Sequence, residues 1–370
     1  MGTGKVAGWP VRQALSGQGL LDAKEQSSGP SLGETSIMEV TYDNGKKYRI
    51  LPDQVLGSGA QAGYRGLCED GEAVAIKVIP TWRLVLEPGC EEEKLKAIEA
   101  ELDTLRAVGT HPNLASLIST ATVTRMDSSG HTRPHYKLVA MEVVEGRELA
   151  EHVAIGGAMK ESVARHLFLQ VLEGLAHMHK SHVIHRDLKP ENMMVTGDMV
   201  DLESRVKLID FGVAKCLSQG PMKTVVGTPS VMAPEVAKAK LGTADSKQAN
   251  FSWGGQGQSL LLVDAAERSP EFCPKVDVWS AGVCLFTCLT GKLPFRNELE
   301  IIKSEYDKGA LAHCSEEAKD LLEKMLKKDV SQRLSIEECL AHPWVPCSET
   351  DGCTIDWDNL PEDDLMYDPF

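Results

Sequence analysis

Residues 185–192 read His185-Arg186-Asp187-Leu188-Lys189-Pro190-Glu191-Asn192, and the eighteenth residue after them opens Asp210-Phe211-Gly212. The first stretch sets an acid, a base and an amide at fixed offsets. Phosphoryl transfer to an alcohol asks for that set: Asp187 can accept the hydroxyl proton, Lys189 can neutralise the moving phosphoryl group, and Asn192 can offer an amide oxygen to a magnesium ion. Asp210 supplies a second carboxylate for the metal. A single such tripeptide would read as a charged turn between strands. Two at this spacing tell against that reading.

Working outward, Leu56-Gly57-Ser58-Gly59-Ala60-Gln61-Ala62-Gly63 precedes Val74-Ala75-Ile76-Lys77. Glycines let backbone amides approach phosphates with no Cβ in the way. Alone, the glycine stretch would be a turn; here it precedes a strand-like alternation that ends in lysine. Together with 185–192 and 210–212, these motifs resemble the eukaryotic protein kinase family. The resemblance covers residues 48–345 and implies an α+β, two-lobed fold, with a β-rich small lobe carrying one helix and a mainly helical large lobe. The small lobe is expected over 48–141, the connector over 142–148 and the large lobe over 149–345.

The same resemblance implies ATP and Mg2+ as cofactors and assigns further residues. Leu56, Gly57, Ser58, Gly59, Ala60, Ala75 and Lys77 would surround the nucleotide. Tyr64 falls where the family carries the valine that roofs adenine, and Ala62 where it carries a third glycine, so a ring is expected over the base. Met141 would back the adenine pocket and Met194 would floor it. The backbones of Glu142 and Val144 would bond adenine, and Glu148 would meet the ribose and a basic substrate residue. Asn192 and Asp210 are the expected metal ligands. Thr228, in Gly227-Thr228-Pro229, resembles the family's threonine that contacts Asp187 and Lys189. Thr224 stands where the family commonly carries an activating phosphate, which Arg186 could pair with. Val231 replaces the usual tyrosine of this segment.

Residues 91–108 place Leu95, Ile98, Leu102 and Leu105 on one helical face. Lys77 needs a carboxylate from this helix. Glu99 and Glu101 flank the face about equally, so periodicity leaves both open; distance to the family-like corner His111-Pro112-Asn113 favours Glu101. Residues 160–180 read as a long helix into the catalytic loop. Asp277-Val278-Trp279 opens a buried one, with Asp277 expected to fix the loop backbone. Ser335-Ile336-Glu337-Glu338 is a capping box, and Arg333 resembles the family's partner of Glu235. His342-Pro343-Trp344 resembles the close of the domain in the calcium/calmodulin-dependent group.

Bulk composition narrows the rest. A net charge of −15 with no basic stripe speaks against nucleic acid as the main partner. Ten cysteines without a Cys-x-x-Cys pair argue against structural zinc and for a reducing compartment. No apolar run suits a membrane span, and no signal-peptide core opens the chain. A cytoplasmic location is expected, with the nucleus as the alternative. Residues 1–47 read as a disordered or extended arm, and Val40–Ile50 at its end as a hairpin turning at Asn44-Gly45 through a tight primed turn and leading into the first strand of the small lobe. Residues 238–270, rich in Gly, Ser, Gln and Lys, read as a flexible insertion. The tail 346–370 carries eight acidic residues and no Lys or Arg, unlike a calmodulin-binding helix; no calcium loop of the EF-hand kind is present either. The expected function is an ATP- and magnesium-dependent serine/threonine protein kinase, basophilic through Glu148 and Glu191, acting on protein substrates. The alternatives are a pseudokinase scaffold without turnover and a small-molecule kinase of the same fold.

Overall fold

Alternation of burial organises the first third of the chain. In the computed structural model, which describes residues 39–57, 62–81, 91–126, 132–197, 200–210, 215–216, 228–245 and 274–345, six strands form one antiparallel sheet. They are β1 (Glu39–Thr41), β2 (Lys47–Gly57), β3 (Ala62–Cys68), β4 (Ala73–Pro80), β5 (Leu117–Met126) and β6 (Thr132–Glu142), in the order β1-β2-β3-β4-β6-β5. Val74, Ile76 and Val78 of β4 bury into a cluster with Tyr42, Tyr48, Ile50, Leu138 and Ala140. Successive strand residues point to opposite faces, so Ala75, Lys77 and Ile79 share the other face. There Ile79 and Val139 pack with Ile98, Leu102 and Leu105 of helix α1 (Glu91–Val108).

One boundary and one turn differ from the expectation. The hairpin forms, with Glu39 opposite Arg49 and Thr41 opposite Lys47, and buried Tyr42 packs on Tyr48. Among the described residues, Glu39–Thr41 therefore belong to the sheet lobe, ahead of the expected boundary at 48. The hairpin's turn is not the primed two-residue type. Only Gly45 takes a positive φ, +79°, while the Asn44 side chain accepts from the Lys46 N–H. That is a wider loop closed by a left-handed glycine, with Asn44 acting through its side chain.

The large lobe follows. It comprises β7 (Arg147–Glu148), α2 (Leu149–Gly156), α3 (Glu161–Lys180), β8 (Val183–Ile184), β9 (Met193–Val195), β10 (Val206–Leu208), β11 (Lys215–Cys216), α4 (Pro234–Asp245), α5 (Lys275–Thr290), α6 (Glu298–Lys303), α7 (Glu316–Met325) and α8 (Ile336–Leu340). α3 and α5 form its centre: Leu167, Val171, Leu175, Val278, Trp279 and Leu285 are all buried. α4 continues to Asp245, so the first residues of the expected insertion are helical; the remainder, like the tail and Thr224, lies outside the described residues.

Polar groups fasten the periphery. Arg333 donates two bonds to buried Glu235, at 2.8 and 2.9 Å, and its other donors reach the Lys327 and Lys275 carbonyls. Glu161 accepts from Ser315 and from the Trp344 indole, tying the last turn of the domain to the start of α3. Ser335 and Glu338 form the capping box. This sheet lobe with one helix, joined to a helical lobe, is the two-lobed α+β fold expected from the sequence. Among the described residues no helix is long and apolar enough to cross a membrane.

Candidate active site

The catalytic loop is held from below by one carboxylate. Asp277, fully buried on α5, accepts from the backbone N–H groups of His185 (2.9 Å) and Arg186 (2.8 Å) and pairs with the His179 ring at 2.9 Å. Burial works to raise the Asp277 pKa, but the hydrogen bond and charge of His179, with the other donors, outweigh it and hold the carboxyl below its ordinary value. The anchored loop can then keep Arg186 at φ +66°, a conformation that costs a non-glycine residue about 1–3 kcal/mol and marks functional sites. Asp277 was expected here; His179 was not, although it lies one helical turn beyond Leu175 on the buried side of α3.

Above this anchor, three polar side chains interlock. One Asp187 oxygen accepts from both the N–H and the hydroxyl of Thr228, each at 2.8 Å; the other lies 3.0 Å from the Lys189 ammonium. Lys189 also donates to the Thr228 hydroxyl at 2.9 Å. Thr228 thus joins the segment before α4 to the loop. Val231 is buried in the core and its carbonyl accepts from Ser280, so the segment packs firmly without a tyrosine there.

Asn192 and the residue before Asp210 meet through their backbones. The Ile209 N–H donates to the Asn192 carbonyl at 2.9 Å, setting Asp210 beside it. The Asn192 side-chain nitrogen donates to the Asp187 carbonyl, leaving the amide oxygen as its acceptor. Asp210, at φ +57°, sets a half-exposed carboxylate 3.3 Å from the Lys77 ammonium, although 133 positions separate them. An amide oxygen and a carboxylate suit magnesium, which takes few protein ligands and shares phosphate oxygens. The residues present therefore fit the metal.

The side expected to face the nucleotide is set by strand register. Ala75 stands opposite Met141, and Lys77 opposite Val139. The Glu142 N–H is bonded to the Ser116 carbonyl, so any backbone contact it offers a ligand is through its own carbonyl, and its side chain pairs with Lys207 at 2.9 Å. Gly146, at φ +142°, lies so close to β9 that a Cβ would come within 2.1 Å of the Val195 carbonyl oxygen. This keeps the connector holding Val144 against the large lobe. Met194 is half-buried between buried Met193 and Val195 and stands opposite Glu148. β7 also packs on the 190–192 turn, so the elements carrying Glu148 and Glu191 adjoin. Leu56 is half exposed at the end of β2, and Ser58, Gly59 and Ala60 lie outside the described residues.

Tyr64 is a correction. It stands opposite Ile76, is 6% exposed, and belongs to the small-lobe core. The face of Ala75 and Lys77 instead receives Gly63, opposite Lys77, and Arg65, opposite Ala75. The ring expected over the base is therefore on the far side of the sheet, because a shift of one residue along a strand exchanges faces. Arg65 reaches across to Glu145 of the connector at 2.6 Å. Counting alternation back from Lys77 would have found both residues had the turn length been known. Of the two glutamates left open, Glu99 pairs with Lys137 of β6 at 2.7 Å. Glu101 lies on α1, its side chain outside the description.

Comparison with known proteins agrees with this geometry. The chain matches the protein kinase domain family over residues 51–262 and 261–345. It is 31% identical over 368 residues to serine/threonine-protein kinase D2 of Mus musculus, covering 93% of this chain and 36% of that protein. Against serine/threonine-protein kinase RAD53 of Saccharomyces cerevisiae it is 30% identical over 314 residues, covering 82% and 34% respectively. Calcium/calmodulin-dependent protein kinase type 1 of Macrobrachium nipponense is 32% identical over 307 residues, covering 80% and 74%. The chain spans about a third of the length of the first two relatives. Fold, site and relatives together place this chain in the protein kinase family, serine/threonine type, with a catalytic core resembling the calcium/calmodulin-dependent group.

Proposed function

We propose that this chain transfers the γ-phosphoryl group of magnesium-bound ATP to serine or threonine hydroxyls of protein substrates. Asp187 accepts the hydroxyl proton, and Lys189 stabilises charge on the moving group. Lys77 orients the α- and β-phosphates, with Glu101 as its helix partner. Asn192 and Asp210 would hold the metal, which when bound neutralises phosphate charge. Ala75, Met141, Glu142, Val144, Glu148 and Met194 would frame the nucleotide, beneath Leu56, Gly57 and the loop at 58–60. The observation that carries this reading is the convergence of Lys77 on Asp210 and of Thr228 on Asp187 and Lys189.

Three finer features belong to the same proposal. Glu148 and Glu191 select arginine upstream of the target hydroxyl, by charge-assisted contacts. Phosphate on Thr224 pairs with Arg186 and couples segment order to activity. The protein acts in the cytoplasm, with the nucleus as alternative. Incubation with labelled ATP, magnesium and a basic protein tests the reading. Labelling that Asp187→Asn abolishes supports it; nucleotide binding without transfer would instead identify a scaffold.

A further inference from the structure

Lys137 is a buried lysine that the proposed chemistry does not use. It is 7% exposed, in the middle of β6, and its ammonium contacts Glu99 of α1 at 2.7 Å and the Thr122 hydroxyl at 3.2 Å. Strand register places it opposite Ile79 on one side and Thr122 on the other. Two residues along the same face, Val139 stands opposite Lys77. Lys77 and Lys137 therefore point from one face of the sheet, the face α1 covers, and α1 carries glutamates at 99 and 101 on opposite flanks of its apolar stripe.

A buried ammonium is costly unless paired, and its partner Glu99 is itself half exposed, so the contact gains little in net stability. Stability alone is thus a poor reason for lysine here, where its neighbours Ile79 and Val139 are apolar and buried. What the pair supplies is direction. An apolar stripe allows a helix to roll over a sheet, whereas an ion pair on one flank fixes the roll. Resting on the kinase reading above, we propose that Lys137 and Glu99 are positioning residues: they fix the rotation of α1 over the Lys77 face and so set where Glu101 is presented to the catalytic lysine.

Full-length wild type, Lys137→Met, Glu99→Gln and Lys137→Arg are compared by steady-state transfer to a basic protein and by thermal unfolding. Lys137→Met is expected to hold or raise Tm yet lower kcat about 3- to 10-fold, the range of coupling through one such contact, with KM for ATP changed less. Glu99→Gln should lower kcat in the same way, and Lys137→Arg should restore most of it. Unchanged kcat in both Lys137→Met and Glu99→Gln would overturn the positioning role alone. A fall in kcat matched by a fall in Tm in Lys137→Met would do the same. Absence of any Asp187-dependent transfer in wild type would overturn the kinase reading first, and the positioning role with it.

Discussion

Tyr64 stands directly opposite Ile76 across β3 and β4, and both side chains are buried in the small-lobe core. On the proposed function, the ceiling of the nucleotide site would then be formed by Ala75 and Gly63, with Arg65 crossing to Glu145 at its outer edge. Tyr64→Ala should therefore cost about 3–5 kcal/mol of stability, read by denaturant unfolding. Tyr64→Phe should leave KM for ATP unchanged. Gly63→Val, by contrast, adds an apolar side chain on the Lys77 face and should lower KM for ATP several-fold. A large KM effect at Tyr64 and none at Gly63 would reverse the assignment.

Arg333 satisfies Glu235, two backbone carbonyls and the face of Trp279, whose ring centroid is 5.2 Å away, while being 1% exposed itself. Removing one partner leaves a buried charge. Glu235→Gln or Arg333→Ala should destabilise by about 3–5 kcal/mol, measured by urea unfolding. At a temperature where the variant stays folded, kcat should be close to wild type.

Acid should weaken the fold in a defined window. Burial pushes the His185 imidazole below its ordinary value of 6.5, against the opposing pull of Asp277, and burial with the nearby His177 charge does the same to His111. The unfolded chain then binds more protons than the folded one just below 6.5, so this stabilisation is complete above that value and is lost as pH falls through it. Asp277, depressed below its ordinary 3.8, keeps its stabilising contribution through this window and loses it only as pH falls below 3.8. The urea midpoint should decline from pH 7.5 to 5.5, and His111→Gln should flatten part of the decline. A midpoint constant across that range contradicts the burial argument.

The proposed preference for an upstream arginine draws on β7 lying on the 190–192 turn, which brings the elements carrying Glu148 and Glu191 together. A peptide with an upstream arginine should lose about 10-fold or more in kcat/KM when that arginine becomes alanine, the loss expected for charge-assisted contacts. Glu148→Gln with Glu191→Gln should erase the difference. Equal phosphorylation of both peptides by wild type would refute selection by these carboxylates.

Much of this was legible because the chemistry sits in short contiguous motifs. Asp187, Lys189, Asn192 and Asp210 keep fixed offsets whatever surrounds them, and α3, α5 and the Ser335 capping box announce themselves by period and cap. What escaped depended on facing, which sequence records only indirectly. Tyr64 was placed by spacing from the glycines, yet the loop between them sets the face, and one residue of slip moves a side chain through the sheet. Glu99 and Glu101 were equivalent on a helical wheel; the partner that separates them, Lys137, lies on a strand 38 positions away. The hairpin at Asn44-Gly45 forms where expected, but its turn type differs because Asn44 acts through its side chain rather than through a left-handed backbone.

The most direct measurement is the rate of phosphate transfer from labelled ATP, with magnesium, to a basic protein by wild type and by Asp187→Asn. The account predicts transfer to serine and threonine by wild type. It predicts a loss of about 100-fold or more in the variant, as expected for removal of the residue accepting the proton, with ATP still bound. Equal transfer by both proteins, or ATP binding by wild type with no transfer at all, would contradict it.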